Sequence, residues 1–191
     1  MTGTEKLAES PAERPQRADA RRNVEALLAA ARAAFAENGS STSLEDIARR
    51  AQVGIGTLYR HFPTRQDLFR GVYVAEVEEL CRSAQDFADL PPWDALVGWL
   101  HRFVPYMATK RAVAEELVAG SDLFKSCRSS ISAAGEPLLR RAQDAGTARA
   151  DTDFDDVLRL VSGITLLQGV EPGQLERVLD MALDGVRARR R

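Results

Sequence analysis

The densest run of side chains with chemistry to offer is Gly54-Ile55-Gly56-Thr57-Leu58-Tyr59-Arg60-His61. It brings together two hydroxyls, a guanidinium, an imidazole and two positions without a Cβ. If the run is a short helix, its buried side has only Val53, Leu58 and Phe62 to use. Gly54, Ile55, Gly56, Thr57, Tyr59, Arg60 and His61 then face outward, and no core requires such a small, polar and aromatic face. Donors on a face of low relief suit phosphate oxygens and base edges. The charge agrees: over residues 47–70, Arg49, Arg50, Arg60, Arg65 and Arg70 face Asp67 alone, a local net of +4. Phosphates would meet a positive surface.

The elements that must position these residues are legible on either side. Thr42 and Glu45 have the spacing of a capping box, which predicts a helix from about Ser43. Leu44, Ile47, Ala48 and Ala51 then share one face. Gln52 and Val53 end that helix, and Gly54 or Gly56 is expected to supply the turn before a second short helix through about His61. Pro63 stops it, and Thr64 with Asp67 repeats the capping pattern at the start of a third, at about Arg65. Upstream, Val24, Leu27, Leu28, Ala31 and Phe35 form a helical stripe ending at Asn38-Gly39, the packing platform for the pair. Val24, Leu27, Leu28, Phe35, Leu44, Ile47, Leu58, Phe62 and Leu68 are the expected core. Two helices joined by a tight turn, with the bare face on the second, fit a helix-turn-helix that enters a DNA major groove.

The run IARRAQVGIGTLYRHFPTRQDLF resembles the N-terminal signature of TetR-type (TetR/AcrR) transcriptional regulators, over residues 21–72. Gln52 stands where that family often has a turn glycine, and Arg65 where it often has lysine. The resemblance implies an all-α fold of about nine helices. An N-terminal three-helix helix-turn-helix domain (residues 21–70) would precede a C-terminal helical ligand-binding and dimerisation domain (71–191). Carried onto this chain, and by exposure, Thr42, Tyr59 and Arg65 would hold phosphates, and Ile55, Thr57 and His61 would lie close to base edges. Arg60 belongs to the same face. Gly54 and Gly56 would matter by their lack of a side chain, which lets the helix sit close to DNA.

Composition bounds the alternatives. The net charge of −2 argues against a nucleic-acid binder until it is divided: residues 1–70 carry 11 basic and 9 acidic side chains, residues 71–191 carry 15 and 19. The basic balance is local, as for a chain with one DNA-binding module. Enzyme chemistry lacks its requirements. There is no phosphate-binding G-x-x-x-x-G-K-[ST] loop and no H-E-x-x-H, and His61 and His101 are the two histidines. No cofactor and no metal are expected. Cys81 and Cys127 are too few for a disulfide framework and read as buried thiols, with a redox pair as the alternative. No apolar run approaches the length of a membrane span and no signal core opens the chain, so a cytoplasmic protein is expected. Residues 1–20 read as a flexible arm whose Arg14 and Arg17, with Arg21 and Arg22, could reach a minor groove.

The second half reads as helices throughout. A long one is expected from Arg65 to about Ala88, linking the DNA module to the remainder. Another runs from about Pro92 to Lys110, with Pro105 inside it and the carbonyl of His101 freed. A shorter one covers 111–119, and a bent one opens at Ser121 and Asp122. Val77, Trp99, His101, Phe103, Tyr106, Phe124 and Cys127 are the candidate wall of a small-molecule pocket. RRAQDAGTARADTDFDDVLRLVSGI resembles the C-terminal domain of one TetR subgroup. Two last helices, about 154–168 and 172–188, are apolar around most of their circumference, which predicts a four-helix bundle with a second copy. Phe154, Leu158, Val161, Leu167, Leu175, Val178, Leu179, Ala182 and Val186 are the candidate seam. The expected partners are therefore double-stranded operator DNA, a small-molecule effector and a second copy of the chain, with no membrane. A helical adaptor that binds protein and not DNA is the alternative.

Overall fold

The computed structural model describes residues 13–114, 122–167, 171 and 173–188. Among them are eight α-helices and two short 3₁₀ turns, and no strand. The chain divides into two compact units, Met1–Leu68 and Phe69–Arg191.

In the first unit, α1 spans Glu13–Asn38. It starts inside the stretch expected to be an arm, so residues 13–20 are helical. An i,i+4 pair, Arg21 with Glu25 at 3.5 Å, and an i,i+3 pair, Arg22 with Asp19, support its exposed first half. The side chains of Arg14 and Arg17 lie outside the described ones. Leu27, Ala31, Ala34 and Phe35 bury the inner stripe, while Val24 and Leu28 stand half-buried at its edge. Gly39, at φ 64°, opens a 3₁₀ turn over Gly39–Ser41.

Helix α2 spans Leu44–Arg50 and is capped by Ser43, whose hydroxyl accepts from the Asp46 N–H at 3.1 Å. The expected box at Thr42 does not form, because that side chain turns inward. Its hydroxyl donates to the Ala34 carbonyl at 3.0 Å, with the Gly39 carbonyl at 3.3 Å. Helix α3 spans Ile55–His61. The reversal between α2 and α3 is made by Gln52, at φ 55°, and not by a glycine; Gly54 sits at φ −61°. A left-handed non-glycine residue costs about 1 to 2 kcal/mol, of which glycine's own chain entropy would return about half. Gln52→Gly is therefore expected to raise the unfolding free energy by about 0.5 to 1 kcal/mol, and Gln52→Val to lower it, in urea titrations. Thr64 and Asp67 do form the anticipated reciprocal cap: the Thr64 N–H donates to Asp67 Oδ2 at 3.0 Å and the Asp67 N–H to Thr64 Oγ1 at 3.1 Å. Leu44, Ile47, Leu58, Phe62 and Leu68 close this core.

Helix α4, Arg65–Ser83, runs into the second unit and gives way to a 3₁₀ turn at Ala84–Phe87, short of the expected end near Ala88. Helix α5 spans Pro92–Ala114 with Pro105 inside it. It passes through Lys110 and Arg111, where a break was expected; 115–119 and Ser121 lie outside the described residues. Helix α6 spans Asp122–Asp144, with Pro137 inside. Helix α7, Phe154–Ile164, is capped by an Asp153/Asp156 box, and α8 covers Gln174–Asp184 behind Gly173 at φ 72°. Both are shorter than their apolar patterns suggested, and Gln168 and Pro172 lie outside the described residues. Trp99, Leu100, Leu139, Val161, Leu179 and Leu183 are among the residues of the core. Inside α6, the rings of Trp99 and Phe154 pack against the bare Cα of Gly135. Backbone bonds from Arg149 N–H to Val186 O (2.9 Å) and from Ala188 N–H to Thr147 O (3.0 Å) pin the end of the chain to the α6–α7 connection.

Candidate functional site

The outer surface of α3 is the first candidate. Leu58 is the one buried residue of this helix. Ile55 and Tyr59 are 39% and 45% exposed. Gly54, Gly56 and Arg60 are exposed, and Thr57 and His61 half-exposed. A Cβ added at Gly54 or Gly56 would meet nothing within 4 Å, and neither backbone has positive φ. Packing within the chain therefore requires glycine at neither position.

Around this helix, two of the sequence-predicted contacts hold the domain together. Thr42 is 6% exposed, its hydroxyl committed to carbonyls of the same unit. Arg65 Nη1 donates to the Thr42 carbonyl at 2.7 Å, tying the start of α4 to the entry of α2. The charge count also changes. Arg49 and Arg50 both pair with Asp46, and Arg50 reaches Glu37 at 2.6 Å. Burial opposes ionisation of Asp46, but the bonds from Arg50 and Arg49 prevail and hold its carboxyl below the usual range. A count begun at residue 47 omits both acidic partners, so much of the +4 is neutralised within α1 and α2.

The second candidate lies in the second unit. A groove of about 580 Å³ is lined by α4 and α6 residues including Val77, Glu78, Cys81, Leu123, Cys127 and Ser130. A chamber of about 20 Å³ is lined by Tyr73, Phe103, Tyr106, Lys110, Arg128, Ile131, Leu158 and Ser162. The hydroxyls of Tyr73 and Tyr106 are 2.9 Å apart. Burial pushes the Tyr73 phenol up to about 12 and Tyr106 higher still. Burial also raises the Cys127 thiol, against a hydrogen bond from Tyr73 and the charge of Lys110, and raises Cys81.

Of the seven residues expected in a pocket wall, the structure thus brings Val77 and Cys127 to the groove, and Phe103 and Tyr106 to the chamber. Phe124 packs on Tyr73, ring centroids 5.0 Å apart. Trp99 and His101 go elsewhere. Trp99 is fully buried, with Nε1 donating to the Leu80 carbonyl at 3.0 Å, and is part of the core. His101 is at the surface, its Nε2 3.0 Å from Asp180 Oδ1. Among the described residues no group of three or more His, Cys, Asp or Glu is placed to hold a metal ion, and no helix is long and apolar enough to cross a membrane.

These features now meet comparison with known proteins. Residues 27–72 match the family model described as bacterial regulatory proteins, tetR family, and residues 91–188 the model for the C-terminal domain of SbtR-like transcriptional regulators. The TetR transcriptional regulator SCO0520 of Streptomyces coelicolor is 39% identical over 87% of this chain and 99% of its own, with a TM-score of 0.77. A TetR regulatory protein of Mycobacterium vanbaalenii is 35% identical over 91% and 99%, with a TM-score of 0.74. The chain belongs to the TetR family. It is a transcriptional regulator of that family, not an enzyme, with the family's N-terminal helix-turn-helix and C-terminal helical domain.

Within this TetR-family chain, most of the residues expected as an apolar seam on the last helices are covered by their own protomer. Phe154, Leu158, Val161, Leu179 and Val186 are buried by their own protomer, and Leu175, Val178 and Ala182 are half-buried. A side chain already covered has little area to give a partner. The large apolar residues left outside are Leu160, Leu166, Leu167 and Met181, the last 73% exposed. Period alone marked both faces of α7 and α8 as apolar without saying which one faced inward. Sequence reasoning also passed over Tyr73, Lys110 and Arg128, because each looks like an ordinary helix residue until α4, α5 and α6 bring them to one chamber.

Proposed function

We propose that this TetR-family regulator is a dimeric repressor that binds a pseudo-palindromic operator through α3 and is released by a small molecule. The observation that carries the reading is the open space over Gly54 and Gly56 beside the exposed Ile55 and Tyr59. A partner that must approach the backbone closely accounts for glycines that packing within the chain does not need. A major groove admits a helix of this kind. Tyr59 and Arg65 contact phosphate, with Thr42 helping through its position at the entry of α2; Ile55, Thr57 and His61 lie at base edges, and Arg60 on the flanking backbone. Two copies place their α3 helices in successive major grooves, about 34 to 36 Å apart or a larger multiple.

The division of roles is testable. Tyr59→Phe should weaken binding to operator and random duplex alike, by about threefold to tenfold, whereas Thr57→Ala and His61→Ala should alter sequence preference. Equal losses on both DNAs for all three variants would refute the division.

Dimerisation uses the outward faces of α7 and α8. On α7, Leu160 and Gly163 share one face, and the exposed Leu166 and Leu167 follow just past its end; on α8, Val178, Met181 and Ala182 share a face with Gly185 at the C-cap, and no atom lies within 4 Å of where a Gly163 Cβ would be. Small residues between exposed apolar ones let helices approach. Met181→Glu buries a charge twice per dimer and should raise the dimer dissociation constant by at least about 100-fold, roughly 3 kcal/mol. Sedimentation that finds the variant dimeric at the wild-type concentration would contradict the seam.

Release works by population shift: the effector binds the state that fits DNA worse, and a coupling of about 1 to 3 kcal/mol suffices for a switch. Its site is the groove and chamber of the second unit, lined among others by Val77, Phe103, Tyr106 and Cys127, with Phe124 packed behind Tyr73. α4 is the one helix that belongs to both units, which makes it the natural carrier of the coupling.

A further inference from the structure

The chamber beside α5 has an unusual lining. Its polar groups are the Lys110 ammonium, the Arg128 guanidinium, the hydroxyls of Tyr73 and Tyr106, and Ser162; none of its described lining residues is acidic. Lys110 is half-buried, and no carboxylate pairs with it among the described residues. Burial first and the neighbouring Arg128 second push its pKa down. Arg128 pairs outward with Asp155, which is shared with Arg159. A desolvated cation beside a second cation is costly unless something negative joins them.

We infer that the effector is an amphipathic organic anion whose carboxylate sits between Lys110 and Arg128 with the Tyr73 and Tyr106 hydroxyls beside it. In its present form the chamber admits about one water-sized group, enough for one oxygen of the head, so the Lys110 side chain must swing to admit the rest. The apolar body has room next door. Tyr73 lines the chamber and Cys127 lines the groove of about 580 Å³, and each of these two side chains bears on the ionisation of the other. They form the partition between head and body, and Val77 and Leu123 give the groove its apolar wall. Charge-assisted bonds to two cations supply the preference for an anion.

This inference rests on the reading of the second unit as the effector-binding domain. It is tested by titrating the full chain with decanoate and 2-naphthoate, each beside its primary amide and with decylamine as the cationic control, by calorimetry. The carboxylates should bind at least tenfold more tightly than their amides, and decylamine should not bind. Lys110→Met should lose at least tenfold in carboxylate affinity and leave the amides unchanged, while Lys110→Arg should retain binding. The thermal midpoint of Lys110→Met should stay level or rise, which separates loss of the site from loss of the fold. Amides that bind as well as acids, undiminished binding by Lys110→Met, or no binding of either carboxylate would overturn the inference. Duplex DNA binding without ligand is measured on the same samples. A protein that binds duplex but no carboxylate defeats this inference alone, and one that binds carboxylate but no duplex defeats the regulatory reading alone.

Discussion

Gly56→Ala is expected to leave the protein as stable as before, or more so by a few tenths to about 1 kcal/mol, and to lose at least tenfold in affinity for its operator. The two halves of this result come from one observation. A Cβ at position 56 would meet nothing within 4 Å, and the residue lies in the first turn of α3 with ordinary helical backbone. Alanine therefore clashes with nothing and gains helix propensity. Only a surface that comes from outside can object to the methyl group. Gly54 is a less clean probe because it is the N-cap of α3, where alanine is itself unfavourable. Chemical denaturation and fluorescence anisotropy on the same preparation check the prediction; a variant that binds the operator as tightly as the parent would mean that α3 does not approach the DNA backbone at this point.

Gly135→Ala is expected to have the opposite profile, a large loss of stability with no direct reason to affect α3. The new Cβ would overlap Cζ of Phe154 and lie 2.6 Å from Cζ3 of Trp99. Neither ring can yield cheaply. Trp99 is fully buried and held by its bond to the Leu80 carbonyl, and Phe154 is the first residue of α7, fixed by the cap at Asp153. The gain in helix propensity of about 1 kcal/mol is outweighed by overpacking, which costs about 1 to 3 kcal/mol and more where the displaced atoms are rigid rings. A fall in the thermal midpoint on the order of 5 to 10 °C is expected. Phe154→Leu, destabilising alone, should partly rescue Gly135→Ala, since the two changes share one contact. Additive losses would show that the helices re-pack in some other way.

These two glycines also show where the sequence is legible. The helix-turn-helix was readable because its signals are local: caps at one residue's remove, an apolar stripe of fixed period, a proline stop. Even there, the local rules left ambiguities of one residue. Thr42 and Ser43 are both hydroxyl residues ahead of an acidic one, and the tertiary bond from Thr42 to Ala34 decided which became the cap. The turn was sought at Gly54 or Gly56, with Gln52 able to take αL at a modest cost where the family often has glycine; it is Gln52 that takes it, at φ 55°. The second unit was less legible because its site depends on which helix faces meet. Trp99 and His101 have the composition of pocket residues, but Trp99 fits over Gly135 and His101 faces Asp180, neither of which is near it in sequence. Lys110 carries no periodic signal, and α5 runs on past the break placed after it, as far as Ala114.

The account turns on α3 being a surface for duplex DNA, and the most direct measurement is the affinity of the purified chain for fragments selected from a random duplex library, as a function of salt. The account predicts recovery of an inverted repeat whose half-site centres are at least about one helical turn apart, with log affinity falling linearly in log salt concentration at a slope of several units, and with Gly56→Ala recovering little of it. Failure to enrich any sequence, together with weak binding that does not depend on salt, would contradict it.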